Sequence, residues 1–535
     1  MTAPVKRIDA AGLKAALHDG GEIALLDARE EVPFDARHLL MAACVPLSRL
    51  ELLVDSRVPR RSARVVWCDD GDGLAARAAS RMAAFGYTDV AVLEGGIKAW
   101  EAAGFAIYSG VHVPSKAFAE VVEHEAGTPW ITAEELKRLI DSGADIALFD
   151  SRSYEEYHEN SIPTAVSVPG AELVYRFDAL VPSAATMVIV NCGGRTRSII
   201  GAQSLINAGV PNKVVSLRNG TQAWHLAGFP VLRGETARPP ATSVRASAAA
   251  RERADRVAAR FGIARIDAAT LSRWRAEEAG RTLYVFDVRT PEEHAAGHIP
   301  GMKNVPGGQL VQETDRHAAT WGARVVLVDD DGVRAVMTAH WMKQMGWDAA
   351  AMTVATGAEE SAAGAWTPRV LGLDGLRVPT IDAGSLRKRI EAGGVSVVDV
   401  DWSRDYRAGH IPGAWYGIRA RLDEIRRKLP PSDAVVFTST DGVLARLAAA
   451  EWTGVSSIPV LALEGGTAAW RAAGFPLEPG ATRMACAPDD VRLRAREQTE
   501  NVEEAMRAYL DWEINLAARM AADDDQRFRI AIAAA

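Results

Sequence analysis

The sequence repeats one pattern four times along its 535 residues. Each copy opens with a short apolar run that ends in an aspartate, and successive lead aspartates lie between 112 and 137 residues apart. That spacing is the size of a small domain, so each copy predicts one domain with its own core. The opening runs are IALLDAR at 23–29, IALFDSR at 146–152, LYVFDVR at 283–289 and VSVVDVD at 395–401.

Each copy continues with a GHIPG-like turn, a second apolar run and a closing segment of the form LEGGxxAWxxAGF, which is degraded in the third copy at 354–366. Short β-branched runs alternate with stretches of helical period. This alternation predicts an α/β fold, with a small parallel sheet covered by helices on both faces in every copy. The second apolar runs are RVVWC at 64–68, MVIVNC at 187–192, RVVLVD at 324–329 and AVVFTS at 434–439.

Linkers rich in Pro, Ser, Gly or Ala separate the copies, at 109–129, 233–262 and 367–379. The second linker is expected to be a loop followed by a helix. The last segment is charged and amphipathic, and we expect one long helix or a helical hairpin that packs on the chain or mediates an oligomer contact. The predicted units are domain 1 at 1–108, domain 2 at 129–232, domain 3 at 262–366, domain 4 at 378–480 and a helical tail at 488–535.

Charge and cysteine content exclude several classes of protein. The net charge of −8 argues against nonspecific binding of nucleic acid. No signal-peptide core or membrane-spanning apolar run is visible in the sequence. The four cysteines form neither a disulfide framework nor a zinc-binding spacing, so we expect a reduced, cytoplasmic protein without a bound metal or cofactor. The cysteines are Cys44, Cys68, Cys192 and Cys486.

The second apolar run of the second copy ends in a thiol that precedes two glycines. In a parallel sheet, ligands bind at the carboxyl ends of the strands, and Cys192 is predicted to lie at such an end. A thiol reacts as its thiolate, which a helix N-terminus and neighbouring arginines favour. Gly193 and Gly194 permit the backbone to curl so that successive N–H groups point inward and cradle an anion.

Two arginines follow the glycines in the sequence CGGRTR at 192–197. Their planar guanidinium groups suit oxyanions, so Arg195 and Arg197 are candidates for binding an anionic substrate. Thr196 is a further candidate for the binding loop, and either Thr196 or Ser198 is expected to cap the helix that follows. The stretch therefore predicts a thiolate surrounded by hydrogen-bond donors.

The repeated landmarks and the CGGRTRS loop resemble those of the rhodanese family of sulfurtransferases, over nearly the whole chain. The resemblance implies that Cys192 attacks the outer sulfur of a donor such as thiosulfate, that sulfite leaves, and that a cysteine persulfide passes its sulfur to cyanide, a thiol or a protein acceptor. It also implies that the backbone of Gly193 to Arg197 cradles the persulfide, while Arg195 and Arg197 hold the donor's sulfonate. No cofactor is implied, because the protein carries the sulfur.

The other three loops depart from the family pattern. Cys68 lies among aspartates, which raise the pKa of a thiol and repel an anionic donor, so we expect it to be inactive or to serve only as a relay. The third copy has Asp329 and the fourth has Ser439 in place of the thiol, which predicts two inactive domains. Asp150 and Arg152 form the D-x-R pair that precedes the Cys192 loop in the sequence. Two roles are open for this pair: Arg152 lies near the sulfur donor, or Asp150 only ties the strand to the loop through backbone N–H groups.

Several functions stay open on the sequence. A rhodanese-like phosphatase needs a C-x5-R loop, and the C-x4-R loop at 192–197 disfavours it. A 3-mercaptopyruvate sulfurtransferase and an enzyme using glutathione persulfide are closer alternatives, although the cationic loop favours thiosulfate. The degraded loops of domains 1, 3 and 4 suit a nonenzymatic binding or regulatory protein, which the intact loop of domain 2 argues against.

Overall fold

The computed structural model describes residues 5–181, 183–354, 362–498 and 500–531, and within them it forms four parallel sheets. The predicted fold class, four tandem α/β domains followed by a helical segment, is confirmed. In domain 1 the short opening strand lies at one edge, the two apolar runs lie in the centre, and adjacent strands run parallel. The strand order in domain 1 is Lys6–Ile8, Val90–Leu93, Val65–Cys68, Ile23–Asp27 and Ala43–Cys44.

The other three sheets have the same order and also pair in parallel. Domain 2 has Trp130–Ile131, Val214–Leu217, Met187–Asn191, Ile146–Asp150 and Val166–Ser167. Domain 3 has Ala264–Arg265, Asp348–Thr353, Arg324–Asp329, Leu283–Asp287 and Lys303–Asn304. Domain 4 has Thr380–Ile381, Val460–Leu463, Ala434–Thr438, Val395–Asp399 and Trp415–Tyr416.

Helices cover both faces of each sheet. In domain 1 they are Ala10–His18, Glu31–Ala36, Leu50–Arg57, Leu74–Ala84 and Gly96–Ala102. In domain 2 they are Ala133–Asp141, Tyr154–Glu159, Glu172–Leu180, Thr196–Asn207 and Gly220–Leu226. In domain 3 they are Ala268–Ala276, Pro291–Ala296, Gly307–Gln312, Thr314–His317 and Arg334–Gln344, and in domain 4 Ala383–Ala392, Ser403–Ala408, Leu422–Lys428, Val443–Thr453 and Gly466–Ala472.

The tryptophan of the closing segment anchors the end of a domain to its core. Trp100, Trp224 and Trp470 are almost completely buried. Each indole N–H donates to a backbone carbonyl six residues further along, at 3.0, 2.9 and 2.9 Å respectively. A buried indole needs such a partner, which accounts for the repeated AWxxAGF pattern. In the third copy, residues 355–361 lie outside the described residues.

The segment between domains 1 and 2 contains a helix that the sequence analysis did not predict. Residues 109–129 were expected to be a linker, yet Val113–Ala126 forms four turns with Pro114 in the first turn, and most of its side chains are buried. The second linker behaves as predicted, because a loop leads into the helix Val244–Phe261. Both helices pack against helices of domain 2, so the linkers belong to the packed body.

Domain 1 receives an additional strand from domain 3. Thr320–Trp321 pairs antiparallel with the strand Ile23–Asp27, and Trp321 lies opposite Ile23. One continuous apolar core then runs through domains 1, 2 and 3, whereas domain 4 has a separate core. The repeats are therefore not independent units joined by flexible linkers.

The tail forms two short helices, Val502–Ile514 and Leu516–Ala521, rather than one long helix. Its apolar side chains, including Leu516 and Met520, are buried against the linker helix Val113–Ala126. The packing interpretation of this segment agrees with the described part of the tail, and residues 532–535 lie outside it. No helix in the described ranges has both the length and the apolarity needed to cross a membrane.

Candidate active site

The loop after the second apolar run of domain 2 connects the strand Met187–Asn191 to the helix Thr196–Asn207. The helix starts directly after Arg195, and no side chain caps it. The prediction that Thr196 or Ser198 caps this helix is wrong. Ser198 lies within the first turn, where its hydroxyl donates 2.7 Å to the carbonyl of Arg195, three residues back.

Cys192 is held in place by the closing segment of the same domain. Its carbonyl oxygen accepts a hydrogen bond from the Thr221 backbone N–H at 2.8 Å and another from the Thr221 hydroxyl at 3.1 Å. Gly220 has a φ of 53°, and a Cβ at that position would lie 2.2 Å from the Cys192 carbonyl oxygen. The glycine of the closing segment is thus required for the close approach that fixes the loop.

The thiol of Cys192 lies inside the loop, 2% exposed, with Sγ 3.6 Å from the Ser198 hydroxyl. Burial raises the pKa of the thiol above its ordinary value, while Arg197 and hydrogen bonds from Ser198 offset only part of this effect. Arg197 lowers the pKa as expected from the sequence, but the effect of burial, which the sequence did not reveal, is larger. A thiol reacts as its thiolate, so burial disfavours the reactive form of Cys192 in the protein without a substrate.

The backbone N–H groups of the Cys192 loop are candidates for binding an anion. Among the residues that the structure describes, no side-chain oxygen accepts a hydrogen bond from the backbone N–H groups of residues 193–197. In domain 1, by contrast, the carboxylate of Asp69 fills the corresponding space. It accepts from the backbone N–H groups of Gly71 at 2.8 Å, Gly73 at 3.0 Å and Ala75 at 2.9 Å.

The loops of domains 3 and 4 are also satisfied internally. Asp329, at the position of the thiol, accepts from Gly332 at 3.1 Å and Ala335 at 2.9 Å, and burial raises the pKa of its carboxyl to about 7. In domain 4 the Ser439 hydroxyl accepts from the Ala445 N–H at 3.3 Å. Within the described chain, the loop of domain 2 alone combines a thiol at the strand end with an unoccupied backbone cradle.

Arg195 is turned away from the cradle. Its guanidinium is buried and donates 2.7 Å hydrogen bonds to both carboxylate oxygens of Glu120, on the linker helix, and it also pairs with Glu123. Burial alone would lower the pKa of Arg195, but these two carboxylates raise it above its ordinary value. A further bond of 3.1 Å reaches the side chain of Asn219. Arg195 thus supports the loop from behind, and its side chain is not among the groups that line the cavity in front.

Arg197 faces the cavity and is oriented by two neighbours. It donates to Glu156 at 2.5 and 3.0 Å and to the side-chain oxygen of Gln309, from domain 3, at 2.8 Å. Although burial alone would raise it, the pKa of Glu156 falls to about 2 beside Arg197. The side chain of Arg197 is 12% exposed, so it is available to a molecule in the cavity while its orientation is fixed.

The D-x-R pair combines both of the roles considered from the sequence. Asp150 accepts from the Arg152 backbone N–H at 3.1 Å and from its Nε at 2.9 Å. Arg152 also donates 3.0 Å to Asn160 Oδ1, and it contributes to the cavity wall beside Gly193. The pair ties strand to loop and places a guanidinium at the base of the cavity.

The cavity in front of the loop has a volume of about 500 Å³. All four domains, the linker helix and the tail contribute to its wall, which also includes Gly193 and Gly194. Basic side chains outnumber acidic ones, which favours an anionic ligand. The basic residues are Lys116, Arg152, Arg197, Arg233, Arg316, Arg404, Arg492, Arg494 and Arg496, and the acidic residues are Glu31, Glu156, Glu159, Glu313 and Glu497.

The tail brings two polar side chains to the loop that sequence reasoning missed. The Thr196 hydroxyl donates 2.9 Å to Glu513, and Tyr509 lies beside Gly194. Nothing in the sequence around 509–513 distinguishes these residues from the rest of an amphipathic helix. Glu120, the partner of Arg195, was missed for a similar reason, because it lies in a segment interpreted as a linker.

Four segments of the chain match one known protein family, and these segments coincide with the four domains described above. Residues 9–103, 132–227, 268–360 and 382–473 each match the Rhodanese-like domain. The chain belongs to the rhodanese-like family. The predicted family is confirmed, and the rhodanese landmarks are the apolar runs and closing segments that carry the four sheets.

A solved structure similar over the full length is the thiosulfate sulfurtransferase from Pseudomonas aeruginosa. It is 47% identical, has a TM-score of 0.95, and the match covers 98% of this chain and 100% of that chain. The prediction that this chain is an enzyme of the rhodanese type is confirmed by this match.

Other similar proteins cover one domain only. An HTH-type transcriptional regulator of Mycobacterium tuberculosis is 33% identical over 104 residues, which are 19% of this chain and 45% of the regulator. The chain thus spans less than half the length of that curated relative. A Rhodopseudomonas palustris structure of unknown function, described as a possible tyrosine phosphatase, is 30% identical with a TM-score of 0.17 and covers 19% of this chain and 85% of its own.

Proposed function

We propose that the chain is a thiosulfate sulfurtransferase that carries sulfane sulfur on Cys192. The observation that supports this most directly is the contrast between the four strand-end loops. The loop of domain 2 keeps a thiol and an open set of backbone donors, whereas Asp69 and Asp329 occupy the corresponding donors in domains 1 and 3. The full-length similarity to a thiosulfate sulfurtransferase agrees with this assignment.

The proposed reaction has two halves. Cys192 Sγ attacks the outer sulfur of thiosulfate, the S–S bond of the donor breaks, and its electron pair leaves with sulfite. In the second half, a thiol or cyanide attacks the outer sulfur of the persulfide and Cys192 is regenerated. Arg197 binds the sulfonate of the donor, and the N–H groups of Gly193 to Arg197 stabilise the persulfide anion. Arg195 and Thr196 keep this backbone in shape through Glu120 and Glu513.

Domains 1, 3 and 4 are proposed to be inactive in sulfur transfer. Burial, Asp27 and Asp69 raise the pKa of Cys68 well above its ordinary value, and only Arg29 among its nearest charges opposes them. The functional contribution of these domains is to build the cavity, because Glu31 of domain 1, Arg316 of domain 3 and Arg404 of domain 4 line it.

The cavity volume favours a second class of donor. About 500 Å³ lies within the range of sites for much larger ligands than thiosulfate, and several arginines line it. A persulfide of an anionic thiol such as glutathione is therefore the second candidate donor, and 3-mercaptopyruvate is a third. All three donors are proposed to deliver sulfur to Cys192, so one assay of sulfur loading on Cys192 compares them.

The deciding experiment is intact mass spectrometry after incubation with each donor, on the wild type, Cys192→Ser and Cys68→Ser. We expect thiosulfate to add one sulfur atom to the wild type and to Cys68→Ser, and none to Cys192→Ser. If Cys192→Ser and Cys68→Ser both lose the added sulfur, the single-site proposal is wrong and sulfur passes through Cys68 as a relay. No gain with any donor would favour a binding protein over an enzyme.

The reaction also suggests a compartment and partners. All four cysteines are free, which suits a reducing environment such as the cytoplasm, where thiol acceptors are abundant. We propose a small thiol or a protein thiol as the acceptor. An oligomer contact through the tail stays a prediction to be tested by light scattering, and the burial of Met506, Leu510 and Leu516 within the same chain argues against it.

A further inference from the structure

Lys116, on the linker helix Val113–Ala126, places a buried ammonium group at the wall of the cavity in front of the Cys192 loop. The residue is 4% exposed, and it lines the cavity. Among the residues that the structure describes, its Nζ makes no hydrogen bond and no ion pair, but lies 5.2 Å from the ring centroid of Tyr509 and 5.1 Å from that of Trp512. Aromatic rings attract a cation, but they do not neutralise its charge as a carboxylate does.

The other cations of the cavity wall differ from Lys116. Eight arginines line the cavity, and seven of them are paired with a carboxylate, whereas Arg233 is exposed to solvent. The paired residues are Arg152, Arg197, Arg316, Arg404, Arg492, Arg494 and Arg496. Within the described part of the chain, Lys116 is therefore the lysine or arginine of this wall that is buried without a counter-ion. A desolvated charge is costly, so this position indicates a ligand that supplies the missing negative group.

More distant charges surround the ammonium group without contacting it. They are Glu513 from the tail, Asp35 from domain 1, Asp315 from domain 3 and Arg492 from the segment before the tail. The three carboxylates bind other side chains. Burial is the largest effect and lowers the pKa of Lys116 to about 8, so the ammonium form predominates at pH 7.

Lys116 lies close to the loop that carries the thiol. Residues four apart share one face of a helix, and Glu120, one turn after Lys116, binds Arg195 at the end of this loop. Tyr509 contacts both regions, because its ring lies beside Lys116 Nζ and its Cε1 is 3.3 Å from the position of a Cβ at Gly194. Lys116, Tyr509 and Gly194 line the same cavity, so one ligand can contact the loop and the ammonium group together.

We propose that Lys116 binds a carboxylate of the sulfur acceptor, which is a thiol whose carboxylate lies remote from its sulfur, as in a small acidic peptide. The proposal rests on the proposed sulfur transfer to Cys192. Thiosulfate has a single anionic end, assigned above to Arg197, and so leaves Lys116 without a partner. The acceptor R–SH and the persulfide Cys192–S–S⁻ give R–S–SH and Cys192–S⁻. The bond between the two persulfide sulfurs breaks, its electron pair stays on Cys192, and the product keeps the thiol proton.

The test compares glutathione with its dimethyl ester as acceptors, because the two share a thiol and differ in their two carboxylates. The proteins are the wild type, Lys116→Met and Lys98→Met, of which the last is the matched control at an exposed position of domain 1. Methionine keeps an unbranched chain without the charge. We expect the preference in kcat/KM for glutathione over the ester to fall about tenfold or more in Lys116→Met and to persist in Lys98→Met.

The donor half of the reaction serves as an internal control. In a transfer through a covalent intermediate, kcat/KM for thiosulfate does not depend on the acceptor, so it should stay within about twofold of the wild type in both variants. An equal loss with glutathione and the ester in Lys116→Met would show that Lys116 supports the cavity rather than binding a carboxylate, and would overturn the proposal. An unchanged preference in Lys116→Met, or no preference in the wild type, would overturn it as well.

Binding can be measured without sulfur transfer. S-methylglutathione keeps both carboxylates but cannot accept sulfur, and we expect its Kd from calorimetry to rise about tenfold or more in Lys116→Met. If the wild type takes no sulfur from thiosulfate, the proposed function fails, while this titration still tests Lys116. Equal Kd values, or no binding to the wild type, would overturn the role of Lys116.

The thermal midpoint of Lys116→Met tests the premise that the ammonium group has no partner in the free protein. Removal of an unpaired buried charge leaves no group unsatisfied, so we expect a midpoint at or above that of the wild type. This result would also show that the variant folds. A clearly lower midpoint would mean that the ammonium group is already neutralised within the protein, contrary to the proposal.

Discussion

The guanidinium of Arg195 donates two hydrogen bonds of 2.7 Å to the carboxylate of Glu120, and both side chains are buried. This pair fixes the start of the helix that follows Cys192 to the linker helix Val113–Ala126. The sequence predicted that Arg195 binds the substrate, whereas in the structure Arg195 supports the loop from the side opposite the cavity.

Arg195→Met should destabilise the Cys192 loop, because it leaves the carboxylate of Glu120 buried without its partner. Breaking a buried pair on one side costs roughly 3–5 kcal/mol, whereas replacing both partners costs far less. Native-state hydrogen exchange should show a lower opening free energy for the helix Thr196–Asn207 in Arg195→Met than in Arg195→Met/Glu120→Leu. Equal protection in the single and double variants would contradict this account.

Arg197→Ala should weaken the binding of thiosulfate. The cavity loses a fixed charge beside the thiol, so we expect the KM for thiosulfate to rise at least about tenfold, with only partial recovery in Arg197→Lys, which keeps the charge without the planar fork. Glu156→Gln should have the opposite effect and lower the KM, because it frees the charge of Arg197. Steady-state kinetics at constant ionic strength gives the KM for thiosulfate of each variant. Values for Arg197→Ala and the wild type that are equal would exclude contact between Arg197 and the donor.

The reactivity of Cys192 should rise steeply with pH. Burial raises the pKa of the thiol, so less than half of Cys192 should be thiolate in the free enzyme at about pH 8.5, where an ordinary cysteine is half ionised. Arg197→Ala removes the largest opposing effect and should move the profile to still higher pH. Iodoacetamide alkylation of Cys192, followed by peptide mass spectrometry from pH 6 to 10, gives the profile. A midpoint below 8 in the wild type would contradict the burial argument.

Gly110→Ala should impair sulfur loading from a distance. Gly110 has a φ of 101°, and a Cβ there would lie 2.1 Å from the ring of Trp512, next to Glu513 in the tail. The methyl group should displace the tail and with it the wall of the cavity. Gly104→Ala is the matched control, because Gly104 also has a positive φ, 84°, but nothing lies within 4 Å of the added carbon.

We expect loading from thiosulfate to slow by about tenfold or more in Gly110→Ala and to remain close to the wild type in Gly104→Ala. Limited proteolysis should cut Gly110→Ala faster within 502–521. Similar loading rates in the two variants would show that the position of the tail does not matter for the chemistry.

The sequence was informative wherever a feature depends on neighbouring residues. The alternation of strands and helices and the position of Cys192 at a strand end are local patterns, and each appears in the structure where it was predicted. The acidic neighbours of Cys68 likewise indicated a loop unsuited to an anion, although the position of the Asp69 carboxylate inside it was not foreseen.

Features that join distant residues were missed. Arg195 and Glu120 are 75 positions apart, and Thr196 and Glu513 are 317 apart, so no periodicity or spacing connects them. The effect of burial on the pKa of the Cys192 thiol was missed for the same reason. Its environment depends on how deeply domains 2 and 3 and the tail bury the loop, which a local motif does not reveal.

The strand Thr320–Trp321 has a consequence for how this protein is made. It completes the sheet of domain 1 by pairing with Ile23–Asp27, although nearly 300 residues separate the two strands. At typical ribosome speeds, that edge of domain 1 waits roughly 15–60 s for its neighbour. During synthesis the nascent chain therefore exposes an unpaired strand edge, and a chaperone that covers such edges should have its longest contact with the first domain.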